Sequence, residues 1–149
     1  MRIALHQPDI AGNVGAILRL AACLGAGVDL IEPMGFTWSE KAVKRAGMDY
    51  IGHVEVRRHA DWAAFLPTAT GRIVLFTTRA AERLDAAAFR PDDILLFGSE
   101  GAGVPDDVHD RADLRVVIPM VAGMRSLNLS VSAGIALAEA LRQTGGWPA

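Results

Sequence analysis

Apolar residues along the chain fall into short runs and stripes of helical period, and the two alternate from end to end. RIALH at 2–6, VDLIEP at 28–33, HVEVRRH at 53–59 and RIVLFTT at 72–78 are β-branched-rich segments of strand length, and the runs at 94–97 and 114–118 extend the series. Runs that are apolar at every position, as at 94–97, predict parallel strands buried on both faces. Between them, Val14, Ile17, Leu18, Ala21 and Leu24 recur at helical spacing, with Asn13 expected as the cap and Gly25 as the stop. Ser39 and Gly47 bracket a short helix, Asp61 opens another through Leu66, Pro105 begins a third, and a final helix is expected from about Ser126 to Gln143. Strands that alternate with helices predict an α/β fold: a mostly parallel sheet of about five or six strands, covered by helices on both faces.

Two helical faces carry more than core pattern. On the first long helix Arg19 lies off the apolar stripe, among the small residues Gly15, Ala22, Cys23 and Ala26, so another group can approach closely where a guanidinium projects. On the last helix Leu127, Val131 and Ile135 recur every four residues, extended by Leu137 and Leu141, beside a row of small residues at Ser126, Ser130, Gly134 and Ala138. The apolar row alone reads as core, whereas a small-residue row permits close helix packing and predicts a homodimer.

Composition narrows the classes. With 149 residues, 51% hydrophobic and 21% charged, residues 1–149 are expected to form one domain with its own core. No apolar run reaches the roughly 18–20 residues of a membrane span, and the polar start MRIALHQPD does not suit a secretory signal, so a cytoplasmic, membrane-free protein is expected. One cysteine, Cys23, excludes an internal disulfide, and the histidines at 6, 53, 59 and 109 lack metal-ligand spacing, so no metal is expected. The net charge of −2 does not advertise nucleic acid, although Lys41, Lys44, Arg45, Arg57 and Arg58 permit a local basic patch. Read singly, these charges belong to solvated faces.

Candidate chemistry concentrates in residues 94–137, where both apolar runs empty into loops rich in Gly, Ser, Pro and Asn. Gly98, Gly101 and Gly103 let backbone approach a ligand, and Arg125, Ser126 and Asn128 form a polar cluster at the head of the last helix. A dinucleotide site is one reading, since Gly12, Gly15 and Glu32 follow the first strand, but AGNVG is G-x-x-G rather than G-x-G-x-x-G. GSEGAG lacks the Gly-Lys-Ser/Thr of a phosphate-binding loop. Phe76, Leu96, Ile118, Met120 and Leu127 are placed to pack around a purine instead.

Three segments, N-x-G-x-x-x-R at 13–19, LLFGSEGAGVP at 95–105 and IPMVAGMRSLNLSVSAGIAL at 118–137, resemble in order and separation the three motifs of the SPOUT methyltransferases. IEPMGF at 31–36 and KRAGMDY at 44–50 are similar to one branch, the small tRNA methyltransferases that modify the ribose 2'-hydroxyl of the wobble nucleotide, a cytidine or uridine. The resemblance implies a C-terminal trefoil knot, S-adenosylmethionine as cofactor, tRNA as substrate and a homodimer whose partner completes the site. By position it assigns Phe76, Thr77, Gly98, Glu100, Gly101, Ile118, Met120, Ser126 and Leu127 to cofactor binding, and Arg19, Asn13, Ser126 and Asn128 to catalysis. Arg19 is a poor literal base because guanidinium stays protonated, so an electrostatic role toward phosphate or a forming oxyanion fits its chemistry better.

Bland readings stand beside these. Asn13 and Ser126 serve equally as helix caps, Arg125 as a surface charge, Glu100 as a turn cap and His6 as a strand-end structural residue. An NAD(P)-dependent oxidoreductase and an RNA-binding protein without activity remain the alternatives.

Overall fold

A computed structural model of the chain describes residues 1–79 and 82–149, with only the backbone at 46–48, so the side chains of the KRAGMDY segment at those positions lie outside the described residues. Among the described residues, seven strands form one sheet: β1 (Arg2–His6), β2 (Gly27–Ile31), β3 (Val56–His59), β4 (Ile73–Phe76), β5 (Glu82–Arg83), β6 (Ile94–Phe97) and β7 (Leu114–Val117). Their order is β3-β2-β1-β6-β4-β7-β5, and every pairing is parallel. The helices are α1 (Ala11–Leu24), α2 (Glu40–Gly47), α3 (Trp62–Phe65), α4 (Asp106–Arg111) and α5 (Leu129–Thr144).

Successive strand residues point to opposite faces, and the core divides accordingly. Ile3, Leu5, Val74, Phe76, Leu95 and Phe97 pack on one face with Val14, Ile17, Leu18 and Ala21 of α1 and Ala133, Ala136, Leu137 and Leu141 of α5. Ala4, Ile73, Leu75, Ile94 and Leu96 pack on the other with Phe65 of α3 and Val108 of α4. This two-sided burial explains why β4 and β6 are apolar at all four positions. At β7 only Val116 is fully buried, because its outer neighbour β5 is two residues long and covers little.

Several boundaries differ from the sequence expectation. Helix α1 starts at Ala11 with Ile10 in the cap position and no side-chain cap bond, so Asn13 lies within the first turn and is not the cap. Gly25 does stop the helix, in the left-handed conformation, with its N–H donating to Ala21 O. Helix α5 starts at Leu129 and is capped by Asn128, not Ser126. Strand β3 starts at Val56 because residues 48–53 wind into a 3-10 helix. Ser39 Oγ accepts from Ala42 N–H and Asp61 Oδ1 from Ala64 N–H, as their positions before α2 and α3 require.

The apolar row on α5 is not core throughout. Leu137 and Leu141 are buried, but Leu127, Val131 and Ile135 are 40%, 50% and 37% exposed. The small row is partly used within the chain, since a Cβ at Gly134 would sit 3.9 Å from Leu20 of α1.

Candidate active site

A cavity of about 470 Å³ opens at the C-terminal edge of the sheet. Its walls are Leu75–Thr78 at the end of β4, Phe97–Glu100 with Gly103 and Val104 at the end of β6, Val117, Ile118 and Met120 at the end of β7, and Arg125–Leu129 with Ser132 at the start of α5. Ile10 and Asn13 close the α1 side. The carboxyl ends of parallel strands, where the order departs from chain sequence, are where α/β folds bind ligands, and this volume falls in the range of small-molecule and cofactor pockets. Phe76 and Phe97 stack at 5.0 Å with 11° between planes, giving the floor a flat aromatic surface.

The loop after β6 is a narrow hairpin. Ser99 and Gly103 exchange two backbone hydrogen bonds of 3.0 Å each, and Gly103 adopts φ +65°. A Cβ on Gly98 would meet the Gly103 carbonyl carbon at 2.4 Å, so this approach admits no side chain. The outer rim is clasped by Asp9, whose N–H donates to both Glu100 carboxylate oxygens (3.2 and 3.1 Å) and whose Oδ2 accepts from Gly101 N–H at 3.0 Å. Nothing in the sequence pairs positions more than ninety apart, so this clasp escaped the sequence reading.

Asn128 joins two motif segments. Its Oδ1 accepts from Ser130 N–H at 2.9 Å, Val131 N–H at 3.2 Å and Ser130 Oγ–H at 2.6 Å, capping α5. Its Nδ2 donates to Oδ1 of the buried Asn13 at 3.1 Å, linking α5 to the first turn of α1. Both asparagines line the cavity.

The sequence-assigned residues are therefore brought together for the most part. Phe76, Thr77, Gly98, Glu100, Ile118, Met120, Ser126 and Leu127 all line the cavity with Asn13 and Asn128. Gly101 is not among the lining residues; its N–H is taken by Asp9. Arg19 is exposed on α1, away from the lining, with its guanidinium 5.0 Å from the centre of the Tyr50 ring. Leu96 points into the opposite core, and Phe97 holds the place expected of it; strand alternation from Phe76 was the available signal. Ile10, Leu75, Thr78, Ser99, Val104, Val117, Leu129 and Ser132 also line the cavity without having been singled out.

Other candidates separate from the cavity. Gly12 and Gly15 sit inside α1 rather than in a turn before it, and Glu32 Oε1 accepts from Arg58 at 2.5 Å, so the elements of a dinucleotide site are not assembled. His6 is buried edge-on to Trp62 with ring centroids 5.8 Å apart, and its Nδ1 has no hydrogen-bond partner among the described residues. Burial holds its pKa below the ordinary value of 6.5, so it is neutral near pH 7. Among the described residues no group of His, Cys, Asp and Glu could hold a metal ion, and no helix is long and apolar enough to cross a membrane.

An all-parallel α/β sheet with an aromatic-floored cavity at its carboxyl edge, rimmed by a tight Gly hairpin and an Asn-capped helix, places this chain among α/β proteins that bind a small ligand at the strand ends. Comparison with known proteins gives the particular family. The SpoU rRNA Methylase family matches residues 1–138, and the chain belongs to it. A tRNA (cytidine(34)-2'-O)-methyltransferase of Beijerinckia indica subsp. indica is 52% identical over 146 residues, covering 96% of this chain and 91% of the relative. A solved structure described as giving insights into the 2-OH methylation of C/U34 on tRNA superposes with a TM-score of 0.91 at 44% identity, covering 95% of this chain and 94% of that one. An AdoMet-bound rRNA methyltransferase from Sinorhizobium meliloti superposes with a TM-score of 0.85 at 29% identity, over 95% of this chain and 55% of that one.

Proposed function

We propose that residues 1–149 act as one domain that transfers a methyl group from S-adenosylmethionine to the ribose 2'-hydroxyl of nucleotide 34, a cytidine or uridine, in tRNA. The observation that carries this reading is the convergence of all three motif segments on one cavity: Asn13 from the first, Gly98 and Glu100 from the second, and Ile118, Met120 and Arg125 to Asn128 from the third. Relatives that share nearly the whole chain supply the nucleotide.

The cavity suits the cofactor in size and chemistry. Phe76, Ile118, Met120 and Leu127 offer apolar surface to an adenine, while Thr77, Ser126 and the backbone around Gly98 offer hydrogen-bonding groups to its edge and ribose. The bound sulfonium would supply a methyl carbon already activated by positive charge. The chain is then left to position the hydroxyl, exclude water and stabilise charge on the forming oxyanion. Asn128, fixed by three donors and by Asn13, holds the α5 terminus over the cavity, and Asp9 holds Glu100 and Gly101 so that the hairpin keeps its shape. Arg19 provides the fixed positive charge, binding phosphate next to the target ribose and lowering the cost of the oxyanion.

In this account Arg19 serves the cavity of a partner subunit, which is why it lies outside the lining of its own. The exposed Leu127, Val131 and Ile135 supply apolar surface for such a homodimer. The segment between β7 and α5 threads a loop to form a trefoil knot, and the enzyme works in the cytoplasm without a metal.

Calorimetric titration with S-adenosylmethionine, followed by methyl transfer to bulk tRNA, tests the reading. Wild type is expected to bind cofactor and methylate tRNA. Arg19→Ala is expected to bind cofactor normally while losing about 10²–10³-fold in kcat, the usual cost of removing one oxyanion donor. Absence of cofactor binding by wild type would sink the reading.

A further inference from the structure

We infer that the outer face of α2, carrying Lys41, Lys44 and Arg45, is a docking ridge for the phosphate backbone of the substrate RNA. The inference rests on the proposed tRNA reading and goes beyond it, because neither the cavity nor the cofactor contacts call for α2. Its ground is the distribution of uncompensated charge. The chain carries a net −2, so RNA affinity has to be local. Every arginine from Arg57 to Arg83 is ion-paired to an acid, as are Arg2, Arg111 and Arg142, and Arg115 donates to the carbonyls of His109 and Asp110. Among the described residues Lys41, Lys44 and Arg45 pair with no acid, although Glu40 sits four positions before Lys44.

All three side chains are exposed, and among the described side chains of α2 Val43 is the one that enters the core. Lys44 and Arg45 lie in the last turn, where the helix dipole favours cations, but Lys41 is at the second position, where it is opposed. Helix stability therefore accounts for Lys44 and Arg45 but not for Lys41. Aromatic rings flank it on both sides in sequence: Trp38 lies under Arg58 at 4.9 Å and Tyr50 under Arg19 at 5.0 Å. Cations interleaved with half-exposed rings suit single-stranded loop RNA, which presents phosphates and unstacked bases together.

The ridge is also tied to the cavity rim. Gly35, in the segment leading to α2, donates to Pro8 O at 2.9 Å and approaches so closely that a Cβ would stand 2.8 Å from Asp9 Cα. Asp9 in turn holds the Glu100–Gly101 hairpin. RNA held on α2 would thus be held in register with that rim and with Arg19.

The test compares wild type with Lys41→Gln/Lys44→Gln/Arg45→Gln, which keeps helix propensity and the buried Val43, and with Arg90→Gln, an exposed arginine in the loop before the central strand β6 whose guanidinium pairs with no acid among the described residues. Filter binding of an anticodon stem-loop RNA across a salt series is expected to show the slope of log K against log salt falling by about 2 to 3 in the triple variant, at about 0.7–0.9 per lost phosphate contact. KM for tRNA should rise tenfold or more, with kcat within twofold and cofactor affinity unchanged, while Arg90→Gln matches wild type. An unchanged salt slope in the triple variant, an equal loss in Arg90→Gln, or no RNA binding by wild type would overturn the ridge. If wild type binds RNA but transfers no methyl group, the proposed function fails, and the salt slopes still decide the ridge.

Discussion

Removing the amide of Asn128 is expected to cost about 2–4 kcal/mol. The figure has two parts. Asn128 Oδ1 accepts from Ser130 N–H and Val131 N–H and so caps α5, and loss of such a cap costs about 1 kcal/mol. Asn128 Nδ2 also satisfies Oδ1 of Asn13, which is 9% exposed, and stranding a buried acceptor costs about 1–3 kcal/mol. Asn128→Asp separates the parts, because a carboxylate keeps the cap but cannot donate to Asn13, so it should lose only the second. Urea unfolding at fixed protein concentration measures both; with a slope of about 2 kcal/mol/M, Asn128→Ala should lower the midpoint by about 1–2 M. A cycle with Asn13→Ala should show coupling of about 0.5–1.5 kcal/mol. A cost for Asn128→Ala below about 0.5 kcal/mol, or equal costs for the Ala and Asp variants with no coupling to Asn13, would refute the reasoning.

Gly98→Ala places a Cβ 2.4 Å from the Gly103 carbonyl carbon; it should destabilise by about 1–3 kcal/mol as overpacking does and weaken cofactor binding in calorimetry by opening the hairpin. Arg72→Ala removes both guanidinium bonds, 2.9 and 2.8 Å, from the fully buried Asp93, and should cost about 3–5 kcal/mol in urea unfolding because a charge is left buried without its partner. His6 has a folded pKa held below 6.5 by burial, so between that value and 6.5 the unfolded chain binds more protons than the folded one. Its contribution is therefore fully present above about pH 6.5 and is lost as pH falls through the folded pKa. Unfolding measured at pH 7 and pH 5 should show a larger drop for wild type than for His6→Phe, and equal drops would contradict the assignment.

How much of this was visible in the sequence depends on the range of the interactions involved. Strands β4 and β6 were legible because burial on both faces makes every position apolar, and α2 and α3 because Ser39 and Asp61 cap through bonds three residues away. The start of α1 was not, since Ile10 offers no polar signal and Asn13 resembles a cap while bonding to Asn128, 115 positions along the chain. Sheet order, the two-residue β5 and the Asp9 clasp are likewise products of long-range pairing. The cavity residues at 118–128 were legible as a Gly- and polar-rich loop after an apolar run, but motif resemblance rather than periodicity gave them roles, because 118–128 is irregular loop without strand or helix period. Leu127, Val131 and Ile135 show the limit of periodicity itself: Leu127 falls before the Asn128 cap, Val131 and Ile135 share a face of α5, and the chain buries the neighbouring face instead.

The central claim is met most directly by locating the methyl group. Unmodified tRNA incubated with the protein and S-adenosylmethionine carrying a labelled methyl, then digested with ribonuclease and analysed by mass spectrometry, should yield one labelled nucleoside, a cytidine or uridine methylated on its ribose, from the fragment containing position 34. Label on a base, label confined to another position, or no label in the presence of bound cofactor would contradict it.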